Sequence, residues 1–126
     1  MKQHISQTVQ TQKRQLPASI PEHVVSIIQQ FAQDAKTLLR ENLIAEYLFG
    51  SYAKNTYTAL SDIDILFLVK TLTPETRRQL SGLASEYSLE YDVYISPIIK
   101  DQQVWGKNQR YQTLFFQEVT QYGVAL

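Results

Sequence analysis

The chain has 126 residues, with 12 acidic and 12 basic side chains and therefore a formal net charge of zero. This length suits one domain rather than two, and a hydrophobic fraction of 44% favours a globular chain over a disordered one. Neutral charge argues against binding to long nucleic acid, and the absence of cysteine excludes disulfides, thiolate catalysis and cysteine-ligated zinc.

The first 18 residues are polar and rich in glutamine, without the apolar core of a signal peptide. No apolar run reaches the ~18 residues that a membrane span needs. Only His4 and His23 offer imidazole groups, so a histidine-based metal site is not expected. We therefore expect a cytoplasmic protein in which residues 1–18 form a polar N-terminal arm and residues 19–126 form the domain.

The domain is predicted to begin with a helix over residues 21–41. Ser19 can cap this helix, Pro21 suits its first turn, and Glu22 can complete a capping box. Apolar residues then recur at helical spacing. They are Val24, Ile27, Ile28, Phe31, Ala35, Leu38 and Leu39.

Two strands are predicted next, with a short polar segment between them. Residues 43–50 indicate a strand that ends in a turn at Gly50-Ser51. Residues 52–61 are polar and predict a short helical turn followed by a loop. Residues 63–69, apolar except at position 64, predict a second strand that is mostly buried.

The following segment predicts a helix that Thr73 caps and that ends near Tyr87. Residues 89–95 alternate in polarity and are rich in β-formers, which predicts a third strand stopped by Pro97.

Asp101 is a plausible cap for one last helix, ending at Gly123. The element order predicts a small α/β or α+β fold in which helices back a mixed β-sheet.

Asp62 and Asp64 are the first candidate site residues. Because side chains alternate along a strand, both carboxylates leave the same face while Ile63 points into the core. Two ionised carboxylates so close repel each other, and a hard cation such as Mg²⁺ or Mn²⁺ would remove that penalty. Taken alone, however, a D-x-D pair is more often a solvated strand entry.

Further candidates stand before and after this pair. A glycine at the end of a strand lets the backbone N–H groups of Gly50-Ser51 approach an anion, and Lys54 could add positive charge near phosphates. Asp92 lies within the predicted third strand, on the face that Glu90 and Tyr94 share, where a metal at the Asp62/Asp64 pair could be its partner. The alternative is a common turn and a solvated strand face.

Together these residues form the pattern G-S-x10-D-x-D followed by a later aspartate. The pattern resembles the DNA polymerase beta-like nucleotidyltransferase superfamily, and the short chain is most similar to its minimal nucleotidyltransferase group. The resemblance covers most of the chain, about residues 43–123. It departs from the group at Lys54-Asn55, where members often carry Arg-Gly, although asparagine tolerates the left-handed backbone of a glycine.

The resemblance implies the polymerase beta-like nucleotidyltransferase fold and two Mg²⁺ ions, or Mn²⁺ in their place. It implies that the metal ligands and catalytic residues are Asp62, Asp64 and Asp92. The nucleotide, ATP or another nucleoside triphosphate, would contact Gly50, Ser51, Lys54 and Ser61.

Many minimal nucleotidyltransferases are paired with a HEPN-type toxin, and the resemblance implies that such a protein is the partner. The chain would then act as antitoxin by moving AMP from ATP to a tyrosine of the toxin. Aromatic residues near the C-terminus are candidates for the partner surface, namely Trp105, Tyr111, Phe115, Phe116 and Tyr122. The stripe of Phe115, Val119 and Tyr122 more simply packs on the sheet.

Two other functions fit the sequence. One is nucleotide transfer to a small-molecule hydroxyl, although such enzymes usually have an added helical domain that a partner or a homodimer would have to replace. The other is a non-catalytic antitoxin that neutralises a toxin by binding it. Transfer to RNA ends is disfavoured by the neutral charge. Oligomerisation is compatible with the sequence.

Overall fold

The computed structural model describes residues 14–126, and residues 1–13 lie outside the described part of the chain. The helices are α1 (Glu22–Leu39), α2 (Gly50–Lys54), α3 (Pro74–Tyr91), α4 (Gln102–Arg110) and α5 (Leu114–Tyr122). The strands are β1 (Leu43–Phe49), β2 (Ile63–Val69), β3 (Ile95–Asp101) and β4 (Val124–Ala125). A 3₁₀ turn, Arg40–Asn42, joins α1 to β1.

The strands form one mixed sheet in the order β3-β2-β1-β4. Strand β1 pairs antiparallel with both β2 and β4, whereas β2 and β3 run parallel. Residues 65–69 of the inner strand β2 are fully buried, which explains why this strand is a continuous apolar run. The predicted mixed sheet backed by helices is confirmed.

Helices cover both faces of the sheet and create two apolar clusters. Helices α1 and α3 pack on one face, where Phe31 and Leu80 belong to the same buried cluster as Ile65 and Phe67. Helices α4 and α5 pack on the other face, where Trp105 and Val119 join the side chains of β2 that point that way. Trp105 is only 1% exposed, so its assignment to an exposed aromatic surface was wrong.

Helix starts were predicted with mixed success. The side chains of Thr73 and Asp101 cap α3 and α4 by accepting hydrogen bonds from the amides of Thr76 and Val104. At α1, however, the cap position is Pro21 and no side chain caps it. The predicted cap Ser19 instead places its hydroxyl against the loop after α2, where it meets Asn55 and Tyr57.

The predicted third strand is wrong in position. Helix α3 continues to Tyr91, and the strand occupies Ile95–Asp101 rather than residues 89–95. Pro97 lies inside this strand instead of stopping it. A proline is tolerated there because β3 is an edge strand, where one row of backbone groups makes no ladder bonds.

The predicted last helix is two helices. Gln112 adopts a positive φ of 49°, which interrupts the helix, and the Thr113 hydroxyl then caps α5 by accepting from the Phe116 amide. Helix α5 ends before Gly123 as predicted, but with φ −60° rather than a left-handed glycine cap. The chain continues into β4, a two-residue strand that the sequence did not predict.

The predicted N-terminal arm falls mostly on residues 1–13, together with His4, and so lies outside the described residues. At the end of the arm, Leu16 packs against the cluster between the sheet and α1. None of the helices in residues 14–126 is both long and apolar enough to span a membrane.

Candidate active site

Asp62 and Asp64 lie at the start of β2, as the sequence predicted. Asp62 is exposed, whereas Asp64 is half-buried and pairs across the sheet with Phe49. Burial, and then the charge of Asp62, raise the pKa of the Asp64 carboxyl above its ordinary value. Within residues 14–126, no side chain or backbone group donates a hydrogen bond to either carboxylate, and no cation is paired with them.

Gly50 brings the turn after β1 against this carboxylate. Its φ of +75° lies in the left-handed region that favours glycine. A Cβ at this position would also overlap the Oδ2 atom of Asp64. Position 50 therefore requires glycine for two independent reasons, and its backbone lies directly against the half-buried carboxylate.

The segment after this turn is the short helix predicted to follow β1. Ser51 is half-buried in α2, and its carbonyl accepts a 2.9 Å hydrogen bond from the Thr56 amide. Asn55 ends the helix with φ 63° and ψ 33°. This left-handed conformation is the one expected of asparagine in place of the more common glycine.

The Lys54 side chain points toward α5. Its Nζ lies 2.9 Å from the Glu118 Oε2 and 5.5 Å from the centre of the Tyr122 ring. The hydrogen bond to Glu118 and the charge of that carboxylate raise the pKa of Lys54. The ammonium is thus paired within the chain, so phosphate binding by Lys54 would require that this ion pair break.

Ser61 has a structural role that its predicted nucleotide contact did not include. Its hydroxyl accepts a 2.8 Å hydrogen bond from the Thr58 amide, and its own amide donates to the Thr58 carbonyl at 3.1 Å. These two bonds close the turn that leads into Asp62. Ser61 therefore positions the aspartate pair, while nucleotide contact by this residue stays a prediction.

Asp92 does not lie in a strand, so the argument that placed it on a shared strand face was wrong. It follows the last residue of α3 in a left-handed conformation, φ 56° and ψ 45°, with its amide bonded to the Ser88 carbonyl. In the described part of the chain, no three histidine or acidic side chains are grouped to hold a metal ion. Metal binding by Asp92 stays a prediction.

The register of β3 places two further residues, Ser96 and Tyr94, next to the aspartates. Ser96 pairs with Asp64, and the Ile63 amide donates a 2.8 Å hydrogen bond to the Tyr94 carbonyl. Tyr94 was predicted on the same strand face as Asp92, whereas Ser96 lies beyond the predicted third strand and was missed. Only the parallel register, which depends on the connection through α3, brings them beside the pair.

The chemistry of Asp62 and Asp64 fits a divalent cation. Carboxylate oxygens are the ligands that Mg²⁺ and Mn²⁺ prefer, and two acids without a protein cation carry a charge that such an ion would neutralise. The pair provides ligands from the protein, and water or a substrate could complete the coordination shell.

Comparisons with known proteins agree on one family. Residues 28–117 match the nucleotidyltransferase domain family. One relative is a protein of Methanocaldococcus jannaschii whose name, protein adenylyltransferase, was assigned by inference. It is 40% identical over 104 residues, which is 82% of this chain and 98% of the relative. A second protein of that organism with the same kind of name is 36% identical over 59% of this chain and 52% of its own length.

Solved structures share the fold. One chain from a mutant of the toxin–antitoxin complex MntA–HpeT is 25% identical, with a TM-score of 0.50 over 78% of this chain and 70% of its own. A chain of a toxin–antitoxin complex with AMP-PNP is 24% identical, with a TM-score of 0.52 over 77% and 70%, and supports the fold alone.

Proposed function

Because this chain is a nucleotidyltransferase that belongs to the nucleotidyltransferase domain family, we propose that it moves AMP from ATP to a tyrosine hydroxyl of a partner protein. The partner is a HEPN-type toxin, and the chain is its antitoxin. The reaction depends on Mg²⁺, with Mn²⁺ as a substitute, and takes place in the cytoplasm. Asp62 and Asp64 are the metal ligands and catalytic residues.

The contact between Gly50 and Asp64 carries this proposal. It joins a turn whose backbone can approach an anion to a carboxylate that has no cation partner among residues 14–126. A metal–triphosphate complex matches both halves of that arrangement, because its phosphates suit the turn and its cation suits the carboxylates.

The chain's own groups would bind and orient the two substrates. The backbone at Gly50-Ser51 holds the β- and γ-phosphates, and the Asp62/Asp64 pair lies beside the α-phosphorus. The acceptor oxygen forms a bond to that phosphorus and its proton passes to water, while the bond to the bridging oxygen breaks and pyrophosphate leaves with the electron pair. Cations held by the aspartates would stabilise charge on the attacking and leaving oxygens. The protein's contribution is then position and electrostatics.

The choice of nucleotide and acceptor is supported by the relatives. Adenylyl transfer to protein is the activity that names the M. jannaschii relatives, and it makes ATP the donor. The structural neighbour at 25% identity is part of a toxin–antitoxin complex, and this supports a toxin as the acceptor. The site at the start of β2 lies at the surface, where another protein could present a tyrosine.

A non-catalytic binding antitoxin is the second candidate. It is favoured by two placements: Lys54 is paired with Glu118, and Asp92 is not grouped with the aspartate pair. A chain with these features could neutralise a toxin by contact alone.

The test is label transfer from ATP. The full chain is incubated with Mg²⁺, ATP labelled at the α-phosphorus and the proposed HEPN-type partner protein. ATP labelled at the γ-phosphorus serves as a second probe, because nucleotidyl transfer leaves the γ-phosphate on pyrophosphate. The variants are D62N/D64N and, as a matched control, Glu90→Gln, which alters an exposed acid on α3.

We expect α-label on a tyrosine of the partner with the wild-type and E90Q proteins, and none with D62N/D64N. Neutralisation of the partner by D62N/D64N without any label would favour the binding antitoxin. Label from the γ-phosphate would contradict nucleotidyl transfer altogether.

A further inference from the structure

Tyr94 immediately precedes β3, at the end of the sheet where the aspartate pair lies. The parallel register pairs Ile63 with Ile95 and Asp64 with Ser96, and the Ile63 amide donates a 2.8 Å hydrogen bond to the Tyr94 carbonyl, so the Tyr94 backbone lies next to the start of β2. Paired residues of adjacent strands point to the same face of a sheet, so Asp64 and Ser96 share a face. Since strands are about 4.8 Å apart, the Tyr94 backbone lies about one strand spacing from that of the aspartates.

The exposure of Tyr94 is unusual for a residue in this position. Its side chain is 72% exposed, and no described group in residues 14–126 bonds its hydroxyl. By contrast, the Tyr87 hydroxyl donates to Asp34 at 2.5 Å, and the Tyr57 hydroxyl donates to the Ser19 carbonyl at 2.8 Å. Tyr94 therefore presents a phenolic oxygen to solvent from a backbone position next to the site.

The order of the strands places this hydroxyl on the acceptor side. Strand β2 lies between β1, which leads to Gly50, and β3, which Tyr94 precedes. With the β- and γ-phosphates at the Gly50-Ser51 turn, the leaving pyrophosphate lies on the β1 side. In-line displacement brings the attacking oxygen from the opposite side, which is the side of β3 and Tyr94.

We propose that Tyr94 is a self-modification site, whose hydroxyl accepts the adenylyl group from ATP bound in the same chain. The inference rests on the proposed function. The Tyr94 oxygen forms a bond to the α-phosphorus, the bond to the bridging oxygen breaks, pyrophosphate leaves with the electron pair, and the phenolic proton passes to water. The product is a phosphodiester between tyrosine and adenosine. Attachment to the same chain keeps acceptor and donor close, which raises the effective concentration of the hydroxyl.

Tyr111 offers a matched control. It is 70% exposed, nearly the same as Tyr94, but lies between α4 and α5, away from the start of β2. Phenylalanine at either position removes only an exposed hydroxyl, so both variants should fold. Thermal unfolding checks that they do.

The experiment uses the full chain alone with Mg²⁺ and α-labelled ATP, followed by peptide mapping. We expect one labelled peptide, containing Tyr94. The Tyr94→Phe variant should lose at least about tenfold in label, as expected when an oriented intramolecular acceptor is removed. The Tyr111→Phe variant should match the wild type, and D62N/D64N should remain unlabelled. Label that persists in Y94F, or that falls equally in Y111F, would overturn the proposal.

Two further readouts separate the alternatives. Labelling within one chain is first order, so the rate per molecule should stay constant on dilution, whereas a falling rate would assign the transfer to a second copy and overturn this inference. Parallel reactions contain the partner protein. Label on the partner but not on Tyr94 overturns the self-modification and leaves the proposed function intact, while label on neither overturns both.

Discussion

Two acidic side chains on adjacent strands experience opposite surroundings. Glu46 on β1 faces α1, and its Oε1 lies 2.6 Å from the Lys36 Nζ. Asp64 on β2 points to the other face, where its nearest charged neighbour is another acid, Asp62. Burial raises the pKa of both carboxyls, but Lys36 lowers that of Glu46 again, whereas the charge of Asp62 raises that of Asp64 further.

The difference separates a structural carboxylate from a functional one. The chain itself provides the cation for Glu46, which needs one because its side chain is 1% exposed. The chain provides none for the Asp62/Asp64 pair within residues 14–126. We infer that the cation of the second site comes from solution, together with the substrate.

The largest expected effect follows from giving both regions the same substitution. D62N/D64N should lower adenylyl transfer about 1000-fold or more, because it removes the charges that hold the cation in place. Glu46→Gln should change the transfer rate little, because it alters a carboxylate that already has a partner. Initial rates of label transfer measure both. A similar loss in the two variants would remove the distinction between the regions.

Gly50→Ala tests the contact between the turn and Asp64. Residue 50 has a φ of +75°, which strains an alanine, and the new Cβ would also overlap the Asp64 carboxylate. We expect a loss of about 1–3 kcal/mol in the free energy of unfolding and a large loss of transfer. The control is Gly82→Ala in α3, where a Cβ would meet nothing within 4 Å. This variant should gain about 0.5–1 kcal/mol, since alanine favours helix. Equal effects would argue against the close approach.

The ion pair at Glu46 is tested by Lys36→Met. This change keeps the apolar stem and leaves a buried carboxylate without its cation. We expect a loss of about 1–3 kcal/mol in the free energy of unfolding by urea. Adding E46Q to K36M should restore much of that loss, because the double variant has no charge left to bury. Transfer activity should survive in both, and its loss would connect the two regions.

The smallest effect is a pH dependence at Asp64. A raised folded-state pKa means that folding favours the protonated form. Its contribution is fully present below the ordinary value of 3.8 and is lost as the pH rises through the folded-state pKa. Without metal, the free energy of unfolding of Asp64→Asn should therefore be about 0.5–1 kcal/mol higher than that of the wild type near neutral pH. The gap should close in acid, and a gap that widened there would contradict the assignment.

The parts of the fold with a strong local pattern were predicted well. Strand β2 was predicted at its observed bounds because residues 65–69 form an unbroken apolar run, and α1 followed from its periodic stripe. The family was predicted from the spacing of Gly50-Ser51 and the aspartates, and the match over residues 28–117 confirms it. Local sequence was sufficient for these features.

The failures occurred where one residue's backbone conformation or a distant part of the chain decides. Residues 89–95 alternate like a strand, but α3 continues through Tyr91 because Asp92 can adopt the left-handed conformation that ends a helix. The strand β4 exists only because it pairs with β1. The ion pairs of Glu46 with Lys36 and of Lys54 with Glu118 also join separate elements. For these ion pairs the sequence offered one signal, namely Glu46, which is an acidic residue inside the apolar strand β1.

The most direct test of the central claim is the thermal stability of three proteins with and without Mg²⁺ and ATP. Wild type and E46Q should both be stabilised, by about 2.7 kcal/mol when the ligand is at 100 times its Kd. D64N should be more stable than wild type without ligand and gain little on its addition. An equal gain in D64N and wild type would contradict the claim that the Asp62/Asp64 pair takes its cation from solution.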